Sequence, residues 1–131
     1  MFAKGRERFL TAVLSWTADT IKIILVDTAA YTANFSTHEF LSDISGSAII
    51  AGPITLTSKT ATGGAADAAD ATFTSVSGAS IEAIIIYKDT GVAGTSPLIA
   101  YIDTATGLPI TPNGGDIIVT FDNGPNRIFK L

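Results

Sequence analysis

Residues 81–103, IEAIIIYKDTGVAGTSPLIAYID, hold two strongly apolar runs of β type, IEAIIIYKD and SPLIAYID, joined by a loop of Gly, Thr and Ser. Neighbouring residues in a strand point to opposite faces, so burying both Ile85 and Ile86 requires a strand covered on each side. A chain organised around these runs must invest in sheet.

The rest of the sequence continues the pattern. TIKIILVD, residues 20–27, is rich in β-branched residues and too short for a typical helix, so it reads as a buried strand. SAIIAGPITLTSKT carries Ile49 and Ile50, a Gly52-Pro53 break, and then Ile54 and Leu56 alternating with Thr55 and Thr57. TGGAADAAD reads as a small-residue loop. Further strands are expected over 71–76, 81–87, 98–102, 116–121 and 127–131, with turns dense in Gly, Pro and Asn between the later ones.

Two stretches have helical character. Near the N-terminus Phe9, Val13 and Trp16 recur at helical spacing with Leu10 and Leu14 beside them, which predicts a helix ending near Leu14 to Trp16. Ser36-Thr37-His38-Glu39 matches the S/T-x-x-E capping box and predicts a short helix over 37–41, ending before Gly46. The expected fold is mainly β: a jelly-roll-like β-sandwich of roughly eight strands with an N-terminal helix and one short additional helix. One domain, 1–131, is expected, with residues 1–16 as N-terminal arm or helix and 20–131 as the sandwich. Its expected core contains Ile23, Leu25, Ile84, Ile86, Ile99, Ile118 and Val119.

Charge narrows the function. Only 15% of residues are charged while 47% are hydrophobic, and the mean hydropathy is +0.41. Surface so poor in charge points to oligomerisation or docking on a larger assembly. A net charge of −4 argues against nucleic acid, whose binding needs a basic stripe. The chain has no cysteine, which excludes disulfides and thiolate metal sites. No segment approaches the uninterrupted apolar length of a membrane span, so a soluble chain is expected.

Catalytic chemistry is scarce. His38 is the single histidine, HEFLS lacks the second His of a helical zinc motif, and no G-x-S-x-G elbow occurs. His38 is therefore read as a polar residue at the start of the short helix rather than as a base or ligand. Asp67, Asp70, Asp103, Asp116 and Asp122 read as solvated turn residues, with a calcium ion between loops as the competing reading. Gly63-Gly64 and Gly114-Gly115 lack the Lys-Ser/Thr of a phosphate loop and read as turn formers. Phe9 and Trp16 read as core aromatics. No catalytic residue, metal or cofactor is assigned, and the chain is expected not to be an enzyme.

ERFLTAVLSW, then TIKIILVDTAAYTANFSTHEFLSDI, IYKDTG with SPLIAYID, and the closing GGDIIVTFDNGPNRIFKL together resemble a family of small structural proteins of tailed bacteriophages. The resemblance is architectural and carries no active-site residues. It implies a virion component, most simply a capsid decoration or cement protein that binds the major capsid protein and copies of itself outside the shell. A neck or tail protein, or a receptor- or carbohydrate-binding β-sandwich, shares the same features. No nucleic acid or membrane partner is expected. Phe2, Lys4, Arg6 and Arg8 form the expected capsid-contact arm, an aromatic anchor with basic side chains; the alternative is a solvated first helical turn.

Overall fold

A computed structural model describes residues 1–121 and 127–131. Its elements are α1 (Ala3–Leu10), β1 (Ile21–Val26), β2 (Ile49–Thr55), β3 (Thr60–Thr62), β4 (Ala65–Asp67), β5 (Ala71–Phe73), β6 (Ala83–Lys88), β7 (Leu98–Ile102), β8 (Ile117–Val119) and β9 (Phe129–Lys130). Single 3₁₀ turns form at Leu41–Asp43, Gly46–Ala48 and Ala93–Thr95. The fold is mainly β, with one α-helix and antiparallel sheets ordered β2-β1-β6-β7, β3-β4-β9 and β5-β8.

The two apolar runs of residues 81–103 become β6 and β7, and β6 also pairs with β1 in unbroken register from Ile21↔Lys88 to Val26↔Ala83. Alternation then sorts the side chains into two cores. Ile21, Ile23, Leu25, Ile84 and Ile86 enter one cluster, while Ile24, Val26, Ala83, Ile85 and Tyr87 enter the other. Ile85 and Ile86 are both 0% exposed, so the strand is covered on each side as the sequence requires. Each such isoleucine contributes about 1.5–3 kcal/mol by leaving water.

The first core lies under the small sheets, through Ala66, Ala71 and Phe73, and under Leu14 and Trp16. The second lies under the irregular segment 27–48, through Tyr31, Ile44 and Ala48, and under Phe2. Pro53 lies in β2, an edge strand, where a missing N–H is tolerated; the strand runs through the expected Gly52-Pro53 break with shifts in register.

Several expectations are corrected. TGGAADAAD is not a loop: Gly63 and Gly64, both at positive φ, close a two-residue turn between β3 and β4. The N-terminal helix stops at Leu10, short of Leu14 to Trp16, because Ala12 turns left-handed at φ 61°. Val13 N–H then reaches Arg8 O at 3.0 Å and Ala12 N–H reaches Phe9 O at 3.3 Å, the two bonds of a Schellman ending.

The short helix over 37–41 does not form. Ser36 and Thr37 donate their backbone N–H groups to Asn34 Oδ1, and Glu39 turns its carboxylate to Arg8 instead of back toward Ser36. The capping-box pattern is present in sequence, but its partners are engaged elsewhere. Ile118, expected in the core, is 61% exposed, and Val119 is half-buried. The turn expected around Asp122 and Asn126 lies outside the described residues.

Candidate docking surface

The four residues expected to form a contact arm sit on or beside α1, and the structure separates them. Phe2 precedes the helix and is fully buried, its N–H bonded to Ile99 O at 3.0 Å and its ring 5.4 Å from Phe35. It serves the protein's own core and is not an exposed anchor. Arg8 forms an ion pair with Glu39 and lies 4.9 Å from the centre of the Phe40 ring. Lys4 bridges to Glu7 at 3.0 Å. Arg6 is exposed.

Gly5 explains how the helix is seated. A Cβ there would fall 2.7 Å from Leu98 O and 3.1 Å from Ile99 Cα, so α1 rests directly on the β7 backbone. Segment 27–48 completes this join: Phe35 O accepts Ala3 N–H at 2.9 Å, and Glu39 O accepts Leu98 N–H at 2.9 Å. The edge of β7 is thereby occupied at Leu98 and Ile99 by groups of the same chain.

With Phe2, Gly5 and Phe9 turned inward, the outer stripe of α1 is Ala3, Arg6, Glu7 and Leu10. Leu10 is 85% exposed and Val13, just past the helix, is 56% exposed. The chain then returns to the core at Leu14 and Trp16, whose indole N–H donates to Asp67 O at 3.0 Å and whose ring meets Phe129 edge-on at 5.2 Å. Trp16 is buried and Phe9 half-buried, packed as core aromatics, although Trp16 lies beyond the helix and Val13 of the same expected face is exposed.

Beside this surface lies a network of lysines and aspartates that the sequence did not signal, because its members are far apart in the chain. Lys88 contacts Asp19 at 3.2 Å and Val13 O at 3.2 Å, Lys22 contacts Asp89 at 2.9 Å, and Lys59 reaches Asp19 O. The Lys22 hydrogen bond, followed by the Gly91 N–H, holds the Asp89 carboxyl below its ordinary pKa. Desolvation pushes the Lys59 ammonium down, partly offset by Asp19.

The aspartates considered as ligands are dispersed into structural bonds. Asp67 pairs with Arg127 at 3.0 Å, Asp70 accepts Phe121 N–H at 3.0 Å, and Asp116 accepts Ser75 N–H at 3.0 Å. Asp103 is exposed, and Asp122 lies outside the described residues. Among the described residues no three His, Asp or Glu side chains are grouped to hold a metal ion. His38 Nδ1 faces the Tyr31 hydroxyl at 2.8 Å and the Asn34 N–H at 3.2 Å.

A cleft of about 800 Å³ opens over the first core, walled by Ile81, Ile84, Ile102, Leu108, Ile117 and Phe121. Its walls are mainly aliphatic, with Asp116 and Arg127 among the few charged side chains that border it. No helix among the described residues is long and apolar enough to cross a membrane. Comparison with protein-family models and with curated protein sequences returns no match.

Proposed function

We propose that this chain is a non-enzymatic structural protein of a tailed-bacteriophage virion, acting as a capsid decoration or cement protein bound to the major capsid protein and to copies of itself. The central sheet beneath the small sheets is read as a jelly-roll-like sandwich. The observation that carries the proposal is the seating of Leu10: an 85% exposed leucine on a short helix held against β7 by Gly5 and Phe2. A rigid apolar knob beside exposed Arg6 and Val13 suits association by surface, with Arg6 adding steering and specificity. The contact surface is thus read as Arg6, Leu10 and Val13, with Phe2, Lys4 and Arg8 fixing the helix that presents them.

Quantitative mass spectrometry of purified virions tests the reading. A copy number matching the repeats of the shell supports decoration. A few copies per particle would assign the chain to the neck or tail, and its absence from virions would overturn the virion reading. In add-back to undecorated capsids, Leu10→Glu should lower occupancy while leaving the denaturation midpoint unchanged.

A further inference from the structure

We propose that Asn34, His38 and Tyr31 form a proton-operated clip that holds segment 27–48 against the edge of β7 at neutral pH and releases it in acid. The inference is independent of the virion reading. His38 is the chain's single histidine, so one side chain can be interrogated cleanly.

The geometry fixes the state of the ring. A backbone N–H can only donate, so the Asn34 amide 3.2 Å from Nδ1 requires a lone pair there and places the imidazole proton on Nε2. The Tyr31 hydroxyl, 2.8 Å from the same atom, shares that single lone pair as a second donor. It remains a donor because burial, with Asp43 and Tyr101 assisting, pushes its pKa up to about 12. His38 N–H closes the turn on Asn34 O at 2.9 Å, while Asn34 Oδ1 accepts from Ser36 and Thr37 at 3.1 Å each. One turn therefore depends on an unprotonated nitrogen.

Protonation converts Nδ1 from acceptor to donor. Tyr31 can rotate to accept from it, but the Asn34 N–H then faces another N–H and, being exposed, exchanges its ring partner for water. Asp43 feels the ring's charge; its carboxylate accepts Glu39 N–H at 2.8 Å and Phe40 N–H at 3.0 Å, and these bonds, with a smaller attraction to His38, hold its pKa below the ordinary value. The other charged groups nearby are Glu39 and, from α1, its partner Arg8. The lost Asn34 bond opens the turn against the attraction between Asp43 and the cationic ring. Because the same segment supplies Phe35 O to Ala3 and Glu39 O to Leu98, opening it loosens α1 and uncovers the edge of β7.

The test is solution NMR of the intact chain at about pH 8 and about pH 5, the range across which imidazoles change charge. Ring nitrogen shifts at the higher pH should show the Nε2–H tautomer. Exchange protection of the Asn34, Ala3 and Leu98 amides, corrected for the intrinsic pH dependence of exchange and compared with Ile86, should fall by about tenfold or more in acid. His38→Asn places a non-titrating oxygen near the Nδ1 position and should keep protection at both pH values. It also separates the clip from the Met1 amino group, which partial burial and then Arg6 hold below its ordinary pKa. An Nδ1–H tautomer at about pH 8, or equal wild-type protection at both values, would overturn the proposal without reference to the variant. The same acid loss in His38→Asn would assign the effect to another group and overturn it too.

Discussion

On one face of the central sheet, Ile23, Leu25, Ile84 and Ile86 lie beneath short antiparallel strand pairs; on the other, Ile24, Val26 and Ile85 lie beneath an irregular segment with a single β-bridge, Phe40↔Pro97. Both faces exclude water, but their covers satisfy backbone polarity in different ways. A hairpin pairs its own N–H and C=O groups through the ladder, as Thr60 to Thr62 do with Ala65 to Asp67. The irregular cover relies on side chains: Glu82 Oε1 receives Thr28 N–H at 3.0 Å, Asp27 receives Ala29, Asn34 receives Ser36 and Thr37, and Asp43 receives Glu39 and Phe40.

That difference gives the second face its sensitivity to pH. Glu82 is held below its ordinary pKa chiefly by the Ser80 hydroxyl and then by Thr28, and Asp43 by the Glu39 and Phe40 amides. A carboxyl depressed in the folded state contributes stability above its unfolded pKa, and that stability is lost as pH falls through the folded value. Acid therefore weakens the irregular cover through these carboxylates. The other cover has carboxylate bonds of its own, Asp67 with Arg127, Asp70 with the Phe121 N–H and Asp116 with the Ser75 N–H, but the backbone groups within its strands are paired by ladder bonds that do not titrate.

The largest effect tests whether both faces are dry. Ile86→Ala and Ile85→Ala each remove a fully buried side chain, one from each core, and each should cost about 2–5 kcal/mol in the denaturation free energy. If Ile85→Ala left the midpoint unchanged while Ile86→Ala lowered it, segment 27–48 would not be a stable cover and the comparison would fail.

A smaller effect tests the join between helix and sheet. Gly5→Ala gains about 1 kcal/mol of helix propensity, yet its new Cβ meets Leu98 O at 2.7 Å, a backbone atom with little room to yield. The clash should prevail, leaving a net loss of about 1–3 kcal/mol, together with faster exchange at the Leu98 amide. Gly46→Ala, where nothing lies within 4 Å of the added carbon, is the control and should change stability by no more than about 0.5 kcal/mol. Equal effects at the two glycines would show that α1 is not seated on β7.

The strands of the central sheet were legible because their apolar runs are long and rich in isoleucine, and requiring cover on both sides of Ile85 and Ile86 anticipated two cores. The helix ending was hidden, since a Schellman turn ordinarily advertises itself with Gly or Asn and here uses Ala12. The inward turn of Phe2 was hidden as well: an aromatic next to basic residues looks like an arm until β7, nearly a hundred residues away by sequence numbering, supplies Ile99 O. The Lys22, Lys88, Asp19 and Asp89 contacts depend in the same way on pairing between distant strands.

Ile118 carries the smallest expected effect and sharpens what it means for a strand to be covered. IIV in β8 reads like the apolar center of β1, but β1 lies between two strands of a four-stranded sheet, whereas β8, among the described residues, pairs with β5 alone. Alternation sends half-buried Ile117 and Val119 toward the first core and leaves Ile118 opposite Thr72, exposed on the outer face of the ribbon. Ile118→Thr keeps a β-branched residue and creates a cross-strand Thr–Thr pair, so it should alter stability by no more than about 0.5 kcal/mol. A loss approaching that of Ile86→Ala would mean that the outer face of the β5–β8 ribbon is buried in the folded chain, and the contrast between a sheet covered twice and a ribbon covered once would no longer hold. A loss seen only at high protein concentration would instead identify Ile118 as a contact between copies of the chain.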